Sequence, residues 1–218
     1  DEDLDDAATG TILAGIPMLV KADRPQMTNT VASADSFLTT PISGLPSEYT
    51  LFVRGHNTWR TQEASRFLTL HDGTLNNFIV LQTGGETSPG AADHEYLTHI
   101  LAGGVEQVRV GTGEKPVDNE FFAMAMRVAA DGIRLEMHTG NGVSSAGSIT
   151  VPAVDTLDIG RQSLVNGKFT GHMLEAACLP RGLSNDELAN LAQSGNFPYA
   201  RECVAAWNRT RRTRLQRY

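Results

Sequence analysis

The sequence predicts an all-β fold, an antiparallel sandwich with one short late helix. Three observations predict it. Apolar and polar residues alternate over short runs from residue 49 onward, as in "EYTLFVRG", and this period suits half-buried strands. Glycine-bearing turns separate the runs, and the chain holds 21 glycines. A capped helical pattern stands near the end, at "LSNDELANLAQ".

The elements follow in order. The chain opens on "DEDLDD", and a strand is expected at Gly15–Lys21, followed by a Thr/Ser/Pro-rich connection. Residues 1–45 are therefore read as an attachment segment or an edge strand. The apolar stretch "GTILAGIPMLV" is too short to span a bilayer, and Pro17 interrupts it. Acids rather than bases precede it, so it does not read as an export signal. In "EYTLFVRG" the alternation places Tyr49, Leu51 and Val53 on one face. "RFLTLHDGTLNNFIVLQT" reads as a hairpin, because Asp72-Gly73 separates two apolar runs and glycine tolerates the positive φ of a tight turn.

"EYLTHILAGGVEQVRVGTG" reads as two strands around Gly103-Gly104, and "EFFAMAMRVAADGIRLEMHTGNG" as a hairpin turning at Ala130-Asp131-Gly132. "VDTLDIGRQ" is a short strand with a glycine stop, and "GKFTGHMLEAACLPR" a longer one, on which Phe169 and Met173 share a face. Ser184 and Glu187 have capping-box spacing, which predicts a helix over Asn185–Gln193. A second helix is expected in "PYARECVAAWNR". The expected organisation is an N-terminal segment at 1–45, a sandwich at 46–195 and a helical, basic tail at 196–218.

Composition bounds the partners. The chain has 218 residues, 40% of them hydrophobic, which suits one sandwich with a real core. A net charge of −7 makes nucleic acid an unfavoured partner for the whole chain. Charge is uneven, however. The tail "RTRRTRLQRY" carries Arg209, Arg211, Arg212, Arg214 and Arg217, candidates for docking to an acidic partner surface. The two cysteines, Cys178 and Cys203, form no metal motif; they read as free thiols or as one disulfide.

The closing motifs carry a family likeness. They are Leu157-Asp158-Ile159-Gly160, then Phe169-Thr170-Gly171-His172-Met173, then Leu183-Ser184-Asn185-Asp186-Glu187-Leu188. In this order they resemble the concanavalin A-like, laminin-G-like jelly-roll superfamily. The stretch "RFLTLHDGTLNNFIVL" is similar to a subgroup found in bacteriophage tail-fibre and other virion proteins. The resemblance covers Tyr49–Gln193. It implies a jelly-roll sandwich, a place on the surface of a phage-like particle, and glycan binding as the usual non-enzymatic use.

Catalytic patterns are weak. "HEYLTH" spaces His94 and His99 one residue too far apart for a zinc helix, and on a strand the two would face opposite sides. The Glu-x-Asp-x-Glu strand motif of β-glucan-hydrolysing jelly rolls is missing from the sequence, as is a Gly-x-Ser-x-Gly elbow. The chain is accordingly expected not to be an enzyme. Calcium remains a candidate, because laminin-G-like relatives bind it through loop oxygens; here Asp72, Asn76 and Asn77 supply hard donors, although Asp and Asn are also ordinary turn residues. For a glycan, the loop "GHNTWRTQ" offers the aromatic Trp59 with His56, Asn57 and Arg60. Trp59 has a competing role as a cap on the sandwich edge.

The leading expectation is a non-catalytic virion protein, a tail-fibre or spike head that binds host surface glycans as a homo-oligomer. A purely structural capsid-decoration or assembly role is the alternative, and a carbohydrate-active enzyme the third reading.

Overall fold

A computed structural model describes residues 20–21, 38–42, 44–57, 64–84, 95–162, 165–169 and 171–194. In chain order the strands are β1 (Val20–Lys21), β2 (Leu38–Pro41), β3 (Tyr49–Asn57), β4 (Arg66–His71), β5 (Phe78–Thr83), β6 (Tyr96–Ala102) and β7 (Val105–Gly111). There follow β8 (Glu120–Ala129), β9 (Gly132–Met137), β10 (Gly142–Ala146), β11 (Thr156–Ile159), β12 (Arg161–Gln162), β13 (Val165–Lys168) and β14 (Gly171–Leu179), then helix α1 (Asn185–Ser194). Two six-stranded antiparallel sheets form the sandwich. The first runs β1-β14-β3-β8-β9-β10 and the second β2-β11-β4-β5-β6-β7; β12 and β13 make a small ribbon of their own. The all-β jelly-roll sandwich with a short helix is the fold of this chain.

Alternation builds the core. On β3, Tyr49, Leu51 and Val53 face inward, opposite Met124, Met126 and Val128 of β8 in the same sheet and towards Leu68, Leu70, Ile79 and Leu81 of the facing sheet. One end of the core is aromatic: the rings of Phe67 and Phe122 lie 4.5 Å apart, and Phe169 meets Phe67 edge-on at 5.4 Å. Burying each such side chain stabilises the fold by about 1.5–3 kcal/mol.

Helix α1 packs on the outer face of the first sheet. Leu188, Leu191 and Ala192 meet Phe52, Ala123, Ala125, Ala177 and Leu179. The alanines of β8 and β14 leave room for it. The helix starts as a capping box: Ser184 N–H donates to Glu187 Oε2 at 2.9 Å, and Glu187 N–H donates to Ser184 Oγ at 3.3 Å. The Arg181 guanidinium and the Ser184 amide hold the Glu187 carboxyl down to about 2. Thr50 fixes the approach to the helix, donating to the Arg181 carbonyl at 2.9 Å and accepting from Leu183 N–H at 3.1 Å.

The hairpin at residues 66–83 turns through six residues, Asp72 to Asn77, between the two expected strands. Two expectations change. Phe169 precedes β14 rather than lying on it, yet it still reaches the core with Met173 beside it. Strand β10 was not expected. It closes on β9 where Gly132, at φ +126°, passes so near that a Cβ there would stand 2.1 Å from the Ser145 carbonyl oxygen. Of the strand expected at Gly15–Lys21, Val20–Lys21 is described and pairs with β14 at a sheet edge. The tail helix and the tail arginines Arg209, Arg211, Arg212, Arg214 and Arg217 lie outside the described residues.

Candidate functional site

The outer face of the first sheet divides in two. Helix α1 covers the half that carries Phe52, Ala123 and Ala125. Beyond it, alternation brings His56 of β3 and Phe121 of β8 to the surface as a directly paired position. His138, just after β9, donates its backbone N–H to the Ala123 carbonyl and joins the same strip. The rings of His56 and Phe121 meet edge-on at 5.8 Å, and those of Phe121 and His138 at 5.4 Å. All three are half-buried. His138 Nδ1 is enclosed without a hydrogen-bond partner. His56 Nδ1 lies 3.4 Å from the carbonyl oxygen of Asn119, which has φ 60° and is the one non-glycine residue with positive φ among those described. Asparagine tolerates that region better than most residues. An ion pair between Arg54 and Glu175, 2.7 Å long, borders the strip.

The strip contains one of the residues the sequence pointed to and excludes its neighbour. Asn57 follows His56 on a strand, so it faces the other way and is fully buried between the sheets. There it lies beside Tyr96, whose hydroxyl pKa is raised by burial first and by the nearby Glu114 and Glu120 carboxylates, with Asn57 opposing. Neither polar atom of the Asn57 side chain reaches hydrogen-bond geometry. Trp59 and Arg60 lie outside the described residues. Phe121 and His138 were missed, because each looks like an ordinary strand residue until the pairing with β3 is known.

The Asp72–Asn77 turn serves the fold. Asp72 Oδ1 accepts from Thr74 N–H at 2.9 Å and from the Thr74 hydroxyl at 2.6 Å, and Asp72 Oδ2 accepts from Asn77 Nδ2 at 2.7 Å. The Thr74 hydroxyl holds the Asp72 carboxyl below its usual range, desolvation opposes, and Asn77 adds to the lowering. Asn77 Oδ1 then accepts from Gly103 N–H at 2.8 Å, and the Asn76 carbonyl from Gly104 N–H at 2.8 Å. These bonds tie the β4–β5 turn to the β6–β7 turn. The side chains of Asp72 and Asn77 meet, while that of Asn76 lies by Gly104; both Asp72 oxygens and Asn77 Oδ1 already accept internal bonds. No group of three or more His, Cys, Asp or Glu placed to hold a metal occurs among the described residues.

The outer face of the second sheet carries buried polar groups. His71 Nδ1 accepts from Gly73 N–H at 2.9 Å, which leaves the ring proton on Nε2, and Nε2 donates to Asp158 at 3.1 Å. Thr39 donates to the other Asp158 oxygen at 2.7 Å. This chain links β2, β11 and β4, and it leaves no free imidazole nitrogen to act as a base. On β6, His99 Nε2 lies 2.9 Å from a Glu106 carboxylate oxygen, and its Nδ1 lies 3.4 Å from an Arg109 nitrogen. Burial, then Arg109, lowers the His99 pKa to about 4, against the pull of Glu106. Cys178 is a free thiol, pushed up to about 12 by burial; Cys203 lies outside the described residues.

No protein-family model matches the sequence. No curated protein matches it either. Solved structures do share the fold. One is the CBM40 of the Ruminococcus gnavus IT-sialidase bound to α2,6-sialyllactose, with a TM-score of 0.53 and 12% identity, covering 67% of this chain and 83% of that one. Another is domain 4 of AbnA, a GH43 extracellular arabinanase from Geobacillus stearothermophilus in complex with arabinotriose, with a TM-score of 0.55 and 15% identity, covering 75% of each chain. At such identities the likeness shows the sandwich fold.

Proposed function

We propose that this chain is a non-catalytic glycan-binding module whose ligand lies along the His56–Phe121–His138 strip. The observation that carries the reading is this half-exposed row of three rings on rigid strands, in the part of the sheet that α1 leaves uncovered. Ring faces and edges pack against sugar C–H groups, while imidazole nitrogens and the Asn119 carbonyl exchange hydrogen bonds with hydroxyls. Two solved structures of the same fold hold sugar ligands, which supports the class. In the fuller reading the module is the head of a phage-like tail fibre or spike on the virion surface. A symmetric homo-oligomer there multiplies a weak affinity for host glycans.

The test is equilibrium binding of the purified chain to host surface polysaccharides. Saturable binding is expected, unchanged by a chelator, and weakened about tenfold by His56→Ala together with His138→Ala, equivalent to about 1.4 kcal/mol. Both side chains are half-buried, so the variant is compared at a temperature where its melting curve shows it folded. A folded double variant that binds as well as the parent removes the strip from the reading, and no binding by a multimerised parent chain removes the function.

A further inference from the structure

Arg66 opens β4 at the edge of the second sheet's outer face, on the opposite side of the sandwich from the aromatic strip. Its Nε donates to Gln82 Oε1 on the paired strand at 3.1 Å. Its Nη1 is enclosed and has no hydrogen-bond partner. The charges nearby do not balance it. Arg66 acts electrostatically on His99, as Arg109 does from the adjacent strand, so two guanidiniums flank one imidazole. Glu106 is engaged by His99 at 2.9 Å and by Arg109 at 3.4 Å. Among the described residues Arg66 forms no ion pair. Burial alone lowers its pKa to about 10. A desolvated cation without a counter-charge and with an unused donor costs several kcal/mol, and an anion that supplies both removes that cost.

We infer that Arg66 anchors an oxyanion-binding position on this face, one that takes the carboxylate or sulfate group of a ligand. Gln82 fixes the plane of the guanidinium through Nε, and Nη1 is the donor left without a partner; a carboxylate or sulfate accepts from a guanidinium in pairs. Arg109 adds positive potential from β7, three strands across the sheet. His99, held neutral, adds no competing charge of its own. The position does not share a residue with the aromatic strip, so either can fail without the other.

The experiment follows the Arg66 Nε–H resonance of the full chain by NMR during titration with sodium glucuronate, sodium sulfate and uncharged glucose. A saturable shift is expected with an anion and none with glucose, weakening as salt rises because the attraction is screened. Glucuronate alone producing the shift identifies the acidic group of a sugar; both anions producing it identify a general oxyanion position. Arg66→Gln, if it folds, should weaken binding about tenfold or more, and Arg66→Lys should retain part of it because the charge remains but the fork is lost. The parent titration needs no variant: absence of a saturable shift with either anion overturns the inference.

Discussion

His99 shows how burial and neighbouring charge decide what a residue does. Its ring is desolvated and flanked by Arg109 and Arg66, and Glu106 only partly offsets them. The folded pKa of about 4 lies below the ordinary 6.5. Between those values the unfolded chain binds the proton that the folded chain refuses, so stability falls as pH drops from about 6.5 to about 4. Urea unfolding across that window should show the decline, and His99→Gln should flatten it. An equal slope in the variant would assign the decline to other groups. Nothing in "YLTHILA" foretold this, because the arginines arrive from β4 and β7. His56 and Asn57 carry a similar lesson. Their polarity was legible, but their opposite facing became certain only once β3 was seen to extend through Asn57.

Elements were legible where a signal was local. The Ser184–Glu187 spacing specified where α1 starts, since the bonds of a capping box join residues three apart. What α1 covers was not legible, because Phe52 and Ala125 lie far away in sequence. Leu191 is fully buried in that contact, and Leu191→Ala should cost about 2–5 kcal/mol, read as a lower urea midpoint. A cost within error would mean that the helix is not held by this face. The Asp72-Gly73 signal marked a turn correctly, whereas the bonds by which Asp72, Thr74 and Asn77 satisfy one another and reach the β6–β7 turn were not legible. Gly132 was legible as a turn residue, whereas the close approach of β10 that excludes a side chain was not.

At the scale of the molecule, charge is the property that needs no fold. With a net charge of −7 and an isoelectric point near 5.3, repulsion between copies fades as pH falls towards that value. Solubility should pass through a minimum near pH 5.3, measured as the protein left in solution after equilibration; a minimum displaced by more than about one pH unit would show that folding shifts the titration of several groups together. The sandwich also explains why both candidate sites are open to test. One outer face is half covered by α1, and the other carries polar groups that strand pairing alone could bring together.

By itself the sequence determined the class of fold, most strand positions, the start of the helix and the overall charge. Those follow from alternation, turn chemistry and short-range bonds, all of which act within a few residues. The tertiary structure decided which strands are neighbours, and with that the pairing of His56 with Phe121, the burial of Asn57, the coupling of two turns through Asn76 and Asn77, and the enclosure of Arg66 Nη1. Each depends on contacts between residues distant along the chain, where periodicity carries no information about partners.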